Sequence, residues 1–77
     1  MKEVTDLYEA AFFICNGCKI ESVECVSLSG SLACRFLISG EKLTELEETF
    51  FTRSAVVNLY SFRSAYGQVN SFMHEAK

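Results

Sequence analysis

Proline is absent from this 77-residue chain, so breaks between elements must be read from Gly, Asn and Ser. Histidine occurs once, as His74 near the C-terminal end. One terminal imidazole cannot supply a nucleophile with both a base and an orienting acid. The four glycines are dispersed, which excludes a Gly-rich phosphate loop. Long apolar runs are also missing. The longest, Ala10 to Cys15, falls far short of the roughly 20 residues a membrane helix needs. Acids at Glu3 and Asp6 stand where a secretion signal requires bases. The expectation is a non-enzymatic chain that is not embedded in a membrane, binds no cofactor and is located in the cytoplasm. In that compartment its four cysteines would be reduced.

A basic excess is lacking as well. Ten acids against seven bases give a net charge of −3. The bases Lys2, Lys19, Arg35, Lys42, Arg53, Arg63 and Lys77 are scattered among acids. Phosphate contacts supply most of a nucleic-acid binder's affinity, so nucleic acid is a disfavoured partner.

What is present is greasy: 49% of the residues are hydrophobic and 13% aromatic, with seven Phe and three Tyr. Such a chain buries a core, and 77 residues make one domain with a thin one.

Asp6 to Gly17 admits a hairpin, because Asn16-Gly17 is a turn signal and Phe12 to Cys15 suits a strand. A helix explains more. At about 100° per residue, Leu7, Tyr8, Ala11, Phe12, Ile14 and Cys15 share one side, and only Phe13 is out of place. Asp6 and Glu9 form a capping-box-like start. Asn16-Gly17 then ends the helix, with Gly17 left-handed and Cys18 reaching back to Phe13.

Lys19 to Leu28 and Leu32 to Ile38 read as two strands joined through Ser29-Gly30-Ser31. The second alternates, with Leu32, Cys34, Phe36 and Ile38 on one face and Arg35 on the other. The first alternates poorly. A three-residue loop aligns Ile20, Val26 and Leu28 with the apolar face, and a two-residue loop aligns Val23 and Cys25.

A second helix is expected over about Glu41 to Arg53, with an apolar stripe of Leu43, Leu46 and Phe50. Ala55-Val56-Val57 suits a short third, edge strand. Asn58 caps a last helix whose stripe is Leu59, Phe62, Ala65, Tyr66, Val69, Phe72 and Met73. The fold class is therefore α+β, a single domain over 1–77 in which three helices pack on one face of a small antiparallel sheet.

The pattern Asp6-Leu7-Tyr8-x-Ala10-Ala11, then Gly17 and a hairpin, then Phe51-Thr52-Arg53-Ser54-Ala55-Val56-Val57-Asn58 leading into Phe62 and Tyr66, resembles a family of short bacterial and phage-associated proteins of unknown function. The resemblance covers nearly the whole chain and rests on apolar and turn positions. It implies an architecture and no activity. The four cysteines depart from that family's pattern.

Cys15-Asn16-Gly17-Cys18 has the spacing of half a zinc site. A second half would have to come from Cys25, Cys34 and His74, which are not paired. At a helix C-terminus the same dithiol is poorly placed for redox catalysis, because that end of the dipole disfavours thiolate. Small buried hydrophobes are the simpler reading of all four thiols. Cys25 and Cys34 would face each other only across a Ser29-Gly30 loop, and packed free thiols are expected there.

Tyr60, Arg63 and Arg53 lie around the start of the last helix, and Arg35 lies on a strand face opposite the apolar one. Tyr and Arg are common interface anchors. Phe13, Phe51, and Val23 with Leu37 or their register-shifted equivalents, fall off the main apolar stripes. The candidate interface is therefore Phe13, Arg35, Phe51, Arg53, Tyr60 and Arg63. The expected role is a protein-interaction module that forms a homodimer over its surplus apolar groups. The alternatives are a nucleic-acid-associated accessory protein and a zinc module through Cys15 and Cys18.

Overall fold

The computed structural model describes residues 1–75, so Lys77, one of the scattered bases, lies outside the described residues. The elements in order are β1 (Lys2–Val4), α1 (Leu7–Cys15), β2 (Lys19–Leu28), β3 (Ser31–Ser39), α2 (Leu43–Phe51) and α3 (Leu59–Glu75). The three strands form one antiparallel sheet in the order β1-β3-β2. The class is α+β, as expected.

The third strand is not Ala55-Val56-Val57, which has no regular structure. β1 takes the place beside β3, with Val4 opposite Phe36 and Lys2 opposite Ile38. Val4 is buried, and Lys2 reaches α2 through an ion pair with Glu47, Nζ to Oε1 3.1 Å. A three-residue strand with a single core side chain has too little periodicity to be recognised beforehand.

α1 begins and ends as its sequence dictates. The Asp6 carboxylate accepts the N–H groups of Tyr8 (2.7 Å) and Glu9 (3.1 Å). At the other end the Gly17 N–H donates to the Ile14 carbonyl and the Cys18 N–H to the Phe13 carbonyl. This paired arrangement requires a left-handed residue, and Gly17 has φ 89°. α1 touches the sheet on one side and α2 and α3 on others. That position buries Ala10, Ala11, Phe12 and Phe13 together. Phe13 is therefore a core residue, and its reading as an interface residue is corrected: a helix covered on several sides buries more than one stripe.

The hairpin closes through a two-residue turn, with Ser29 at φ 49° and Gly30 at φ 84°. Positive φ at both positions matches the twist of the flanking strands. Ser29 is an unusual occupant of the first position, where Asn, Asp or Gly is the common signal, so the sequence does not distinguish a two-residue from a three-residue loop. The two-residue register brings Val23 opposite Phe36 and Cys25 opposite Cys34. A bulge at Glu21 then shifts the parity, so Ile20 also reaches the core, opposite Ile38. This explains the poor alternation of β2: its inward side chains are Ile20, Val23 and Cys25. Val26 and Leu28 lie on the uncovered face and are exposed.

Cys25 and Cys34 form a disulfide across the hairpin, which overturns the expectation of four free thiols. Direct opposition in a regular antiparallel register places their Cα atoms 4.1 Å apart, close enough for the bond.

α2 is shorter than expected, but Leu43, Leu46 and Phe50 pack against the core as its stripe requires. In α3, Asn58 Oδ1 accepts the Ser61 N–H at 3.1 Å, as a cap should. Ala65 and Val69 are buried, with Phe62, Tyr66 and Met73 packed beside them. The start of the expected stripe is not covered, Leu59 being 74% exposed; near its other end Phe72 is 41% exposed, while Met73 still packs against the core. Length is the reason. At 1.5 Å per residue α3 runs about 25 Å and α1, its main partner, about 13 Å, so α3 extends beyond α1 and Leu59 at its start is left without cover.

Candidate functional site

Every residue from Phe51 to Ser61 is exposed. This arch links α2 to α3 and carries three of the six candidate interface residues, Phe51, Arg53 and Tyr60. A fourth, Arg63, is exposed one turn into α3.

The arch starts as a fixed turn. The Thr52 N–H donates to the Glu48 carbonyl (3.0 Å), the Arg53 N–H to the Phe50 carbonyl (3.3 Å) and the Ser54 N–H to the Thr49 carbonyl (3.0 Å). The Thr52 hydroxyl donates to the Glu48 carbonyl (2.8 Å) and lies 2.9 Å from the Ser54 hydroxyl. This closure holds Arg53 at φ 61°. Glycine usually occupies such a position, because a Cβ in the left-handed region costs about 1 kcal/mol or more. Here an exposed arginine stands there instead.

Phe51 is 64% exposed and meets Phe50 edge to face, with ring centroids 5.7 Å apart. Phe50 in turn contacts the core residue Phe12 at 5.7 Å. An aromatic chain therefore runs from the core to the surface at the start of the arch. Val56 is 89% exposed, and Tyr60, in the first turn of α3, 78%. Tyr8 of α1, also largely exposed, stacks on Tyr66 and Phe62 of α3 at 5.5 and 6.4 Å.

The sequence pattern suits Val56 to a strand and Leu59 to a core stripe; both placements need a cover that the tertiary structure does not supply, and both residues are exposed. One signal was available in the sequence. From Phe51 to His74 there is no Asp or Glu, whereas residues 41–48 hold four glutamates. The arch is thus an apolar and arginine-bearing surface beside an acidic helix.

Arg35 is not part of this surface. It lies on the uncovered sheet face, opposite Glu24 in register and 3.4 Å from the Glu3 carboxylate. Its charge is answered by acids of its own chain. Val23 and Leu37, counted as surplus apolar groups, are both partly buried, Val23 against the core.

Cys15 is partly buried at the end of α1 and Cys18 is buried. Burial pushes the Cys18 thiol above its ordinary range, which opposes both metal ligation and nucleophilic attack. Cys25 and Cys34 are bonded to each other and are not available as ligands. Among the described residues no three His, Cys, Asp or Glu side chains converge. His74 lies exposed in the last turn of α3. No helix among the described residues is long and apolar enough to cross a membrane.

Comparison with family models, with curated proteins and with solved structures finds no match. The family resemblance noted above rests on the residues quoted for it alone.

Proposed function

We propose that this chain is a non-catalytic protein-interaction module that docks an acidic segment of a partner protein on the arch from Phe51 to Arg63. The observation that carries the reading is Arg53, an exposed side chain kept at φ 61°. Unfavourable backbone geometry at a surface residue, fixed by its own hydrogen bonds, points to a role for the side chain. Its surroundings fit that role. Phe51, Val56, Leu59 and Tyr60 offer apolar area that monomers rarely leave uncovered. Arg53 and Arg63 supply forked donors for carboxylates. The absence of acids from Phe51 to His74 leaves that charge unopposed within the segment.

The compartment belongs to the same reading. A Cys25–Cys34 bridge persists where conditions are oxidising; in the cytosol expected from sequence it would stand as two thiols.

The test is affinity capture from a native extract by the immobilised full chain, beside an R53E/R63E variant, at low and high salt. The expected result is a protein retained by the wild type, released by salt, absent from the variant and then confirmed by direct titration. An identical bound set for both chains overturns the reading. Two arginines neutralise about two phosphates, giving a shallow salt dependence. Nucleic acid retained at low salt in place of a protein would therefore shift the assignment to an accessory nucleic-acid role.

A further inference from the structure

β2 is an edge strand: β3 pairs with one side of it, and among the described residues no strand pairs with the other. The short Cα separation of the Cys25–Cys34 pair, 4.1 Å, marks it as a narrow pair, whose residues do not exchange hydrogen bonds with each other. Backbone groups in such a pair point away from the partner strand. By alternation, Val23, Cys25 and Ser27 direct their N–H and C=O groups outward from the free edge of β2. Among the described residues no strand lies on that side of β2, and no turn, loop or cap backbone bond engages these six groups.

We propose that this edge is the self-association seam, where β2 of one chain pairs antiparallel with β2 of a second copy about a two-fold axis at Cys25. The pairing joins the two sheets into one of six strands. Val23 pairs with Ser27 of the other chain, Cys25 with its own counterpart, and all outward groups are satisfied. Every contact is then repeated by symmetry, as an isologous interface requires.

Three observations favour a second copy as the occupant. The register sets Glu24 against Val26 and Ser22 against Leu28 of the other chain, so no like charges oppose. Moving the axis to Glu24 would bring two carboxylates together, which selects against that neighbouring register. Val26 and Leu28, 57% and 60% exposed on the uncovered sheet face, come beside the new strand and lose water contact. Finally, the bulge at Glu21 turns the start of β2 away and confines the seam to Ser22–Leu28. Within that span no proline blocks a donor, and the disulfide holds β2 to β3 while the outer edge is engaged. The seam uses no residue of the arch, so it stands or falls separately from the partner-docking reading.

The experiment is sedimentation equilibrium of the full chain under non-reducing conditions, with amide exchange followed by NMR. S27P removes one outward N–H per chain and no N–H directed at β3, so the hairpin persists, as its circular dichroism and melting temperature check. The expected result is a wild-type dimer whose Val23, Cys25 and Ser27 amides become protected as concentration rises. In S27P the dimer should weaken by about ten- to hundredfold, two hydrogen bonds being lost across the axis. Tyr60→Ala, on the arch, should leave the dimer unchanged. A wild type that remains monomeric at high micromolar concentration overturns the proposal. So does a dimer in which those three amides exchange freely. If Tyr60→Ala alone abolishes the dimer, self-association runs through the arch and the β2 seam is wrong.

Discussion

Cys25 and Cys34 stand directly opposite each other on β2 and β3, bonded through sulfur with nine residues of sequence separation. Loop-closure entropy for a ring of this size corresponds to roughly 2–3 kcal/mol of stabilisation. Reduction, or replacement of both cysteines by serine, should lower stability by about that amount. Denaturant unfolding with and without a reducing agent measures it, and the C25S/C34S variant should show no further response to reductant.

Gly40 leaves room for Cys18. A Cβ on Gly40 would lie 2.6 Å from the Cys18 Sγ and 3.3 Å from its Cβ. Gly40→Ala should therefore destabilise by about 1–3 kcal/mol, the usual cost of overpacking. Adding Cys18→Ala removes the opposing sulfur and should recover part of the loss. Thermal melts of the two single variants and the double variant read the coupling directly; strictly additive effects would contradict this packing.

Glu9 is buried, and its Oε2 has no hydrogen-bond partner among the described residues. Burial raises its pKa above the ordinary glutamate range; the Lys2 charge opposes the shift, while Asp6 and Glu47 add to it. A raised folded-state pKa means the native state holds the proton more tightly than the unfolded chain. The associated stability is complete below the unfolded value and is lost as pH rises through the folded one. Glu9→Gln cannot ionise. It should flatten this decline and gain more stability, relative to wild type, at neutral pH than at about pH 4. Urea midpoints across that range decide it, and an unchanged slope in the variant would be the contrary result.

Arg53 should separate stability from binding. Arg53→Gly relieves the left-handed position, with an expected gain of about 0.5–1 kcal/mol. The same change removes a guanidinium from the arch and should weaken capture of the acidic partner. Urea unfolding and affinity capture on the same variant should move in opposite directions. A variant that loses stability would show that the arginine side chain supports the fold.

The local punctuation of the chain was legible because it depends on neighbours a few residues apart. Asp6 caps α1, Gly17 ends it and Asn58 starts α3, each with the hydrogen bonds its side chain or φ angle requires. The candidate surface was legible in part. Phe51, Arg53, Tyr60 and Arg63 are exposed as expected, since polar and off-stripe residues of a helix end seldom find cover. Phe13 went the other way, because burial on a second side of α1 depends on elements far along the chain.

By itself, then, the sequence determined both ends of α1 and the start of α3, the existence of a hairpin and the α+β class, all of which follow from short-range periodicity and capping. Tertiary structure decided the rest. It placed β1 beside β3, set the Cys25–Cys34 register through a two-residue turn, and shifted β2 by the bulge at Glu21. It also left Leu59 beyond the reach of the shorter α1. Each of these depends on which distant surface a side chain meets, and periodicity along one segment carries no record of where another segment ends.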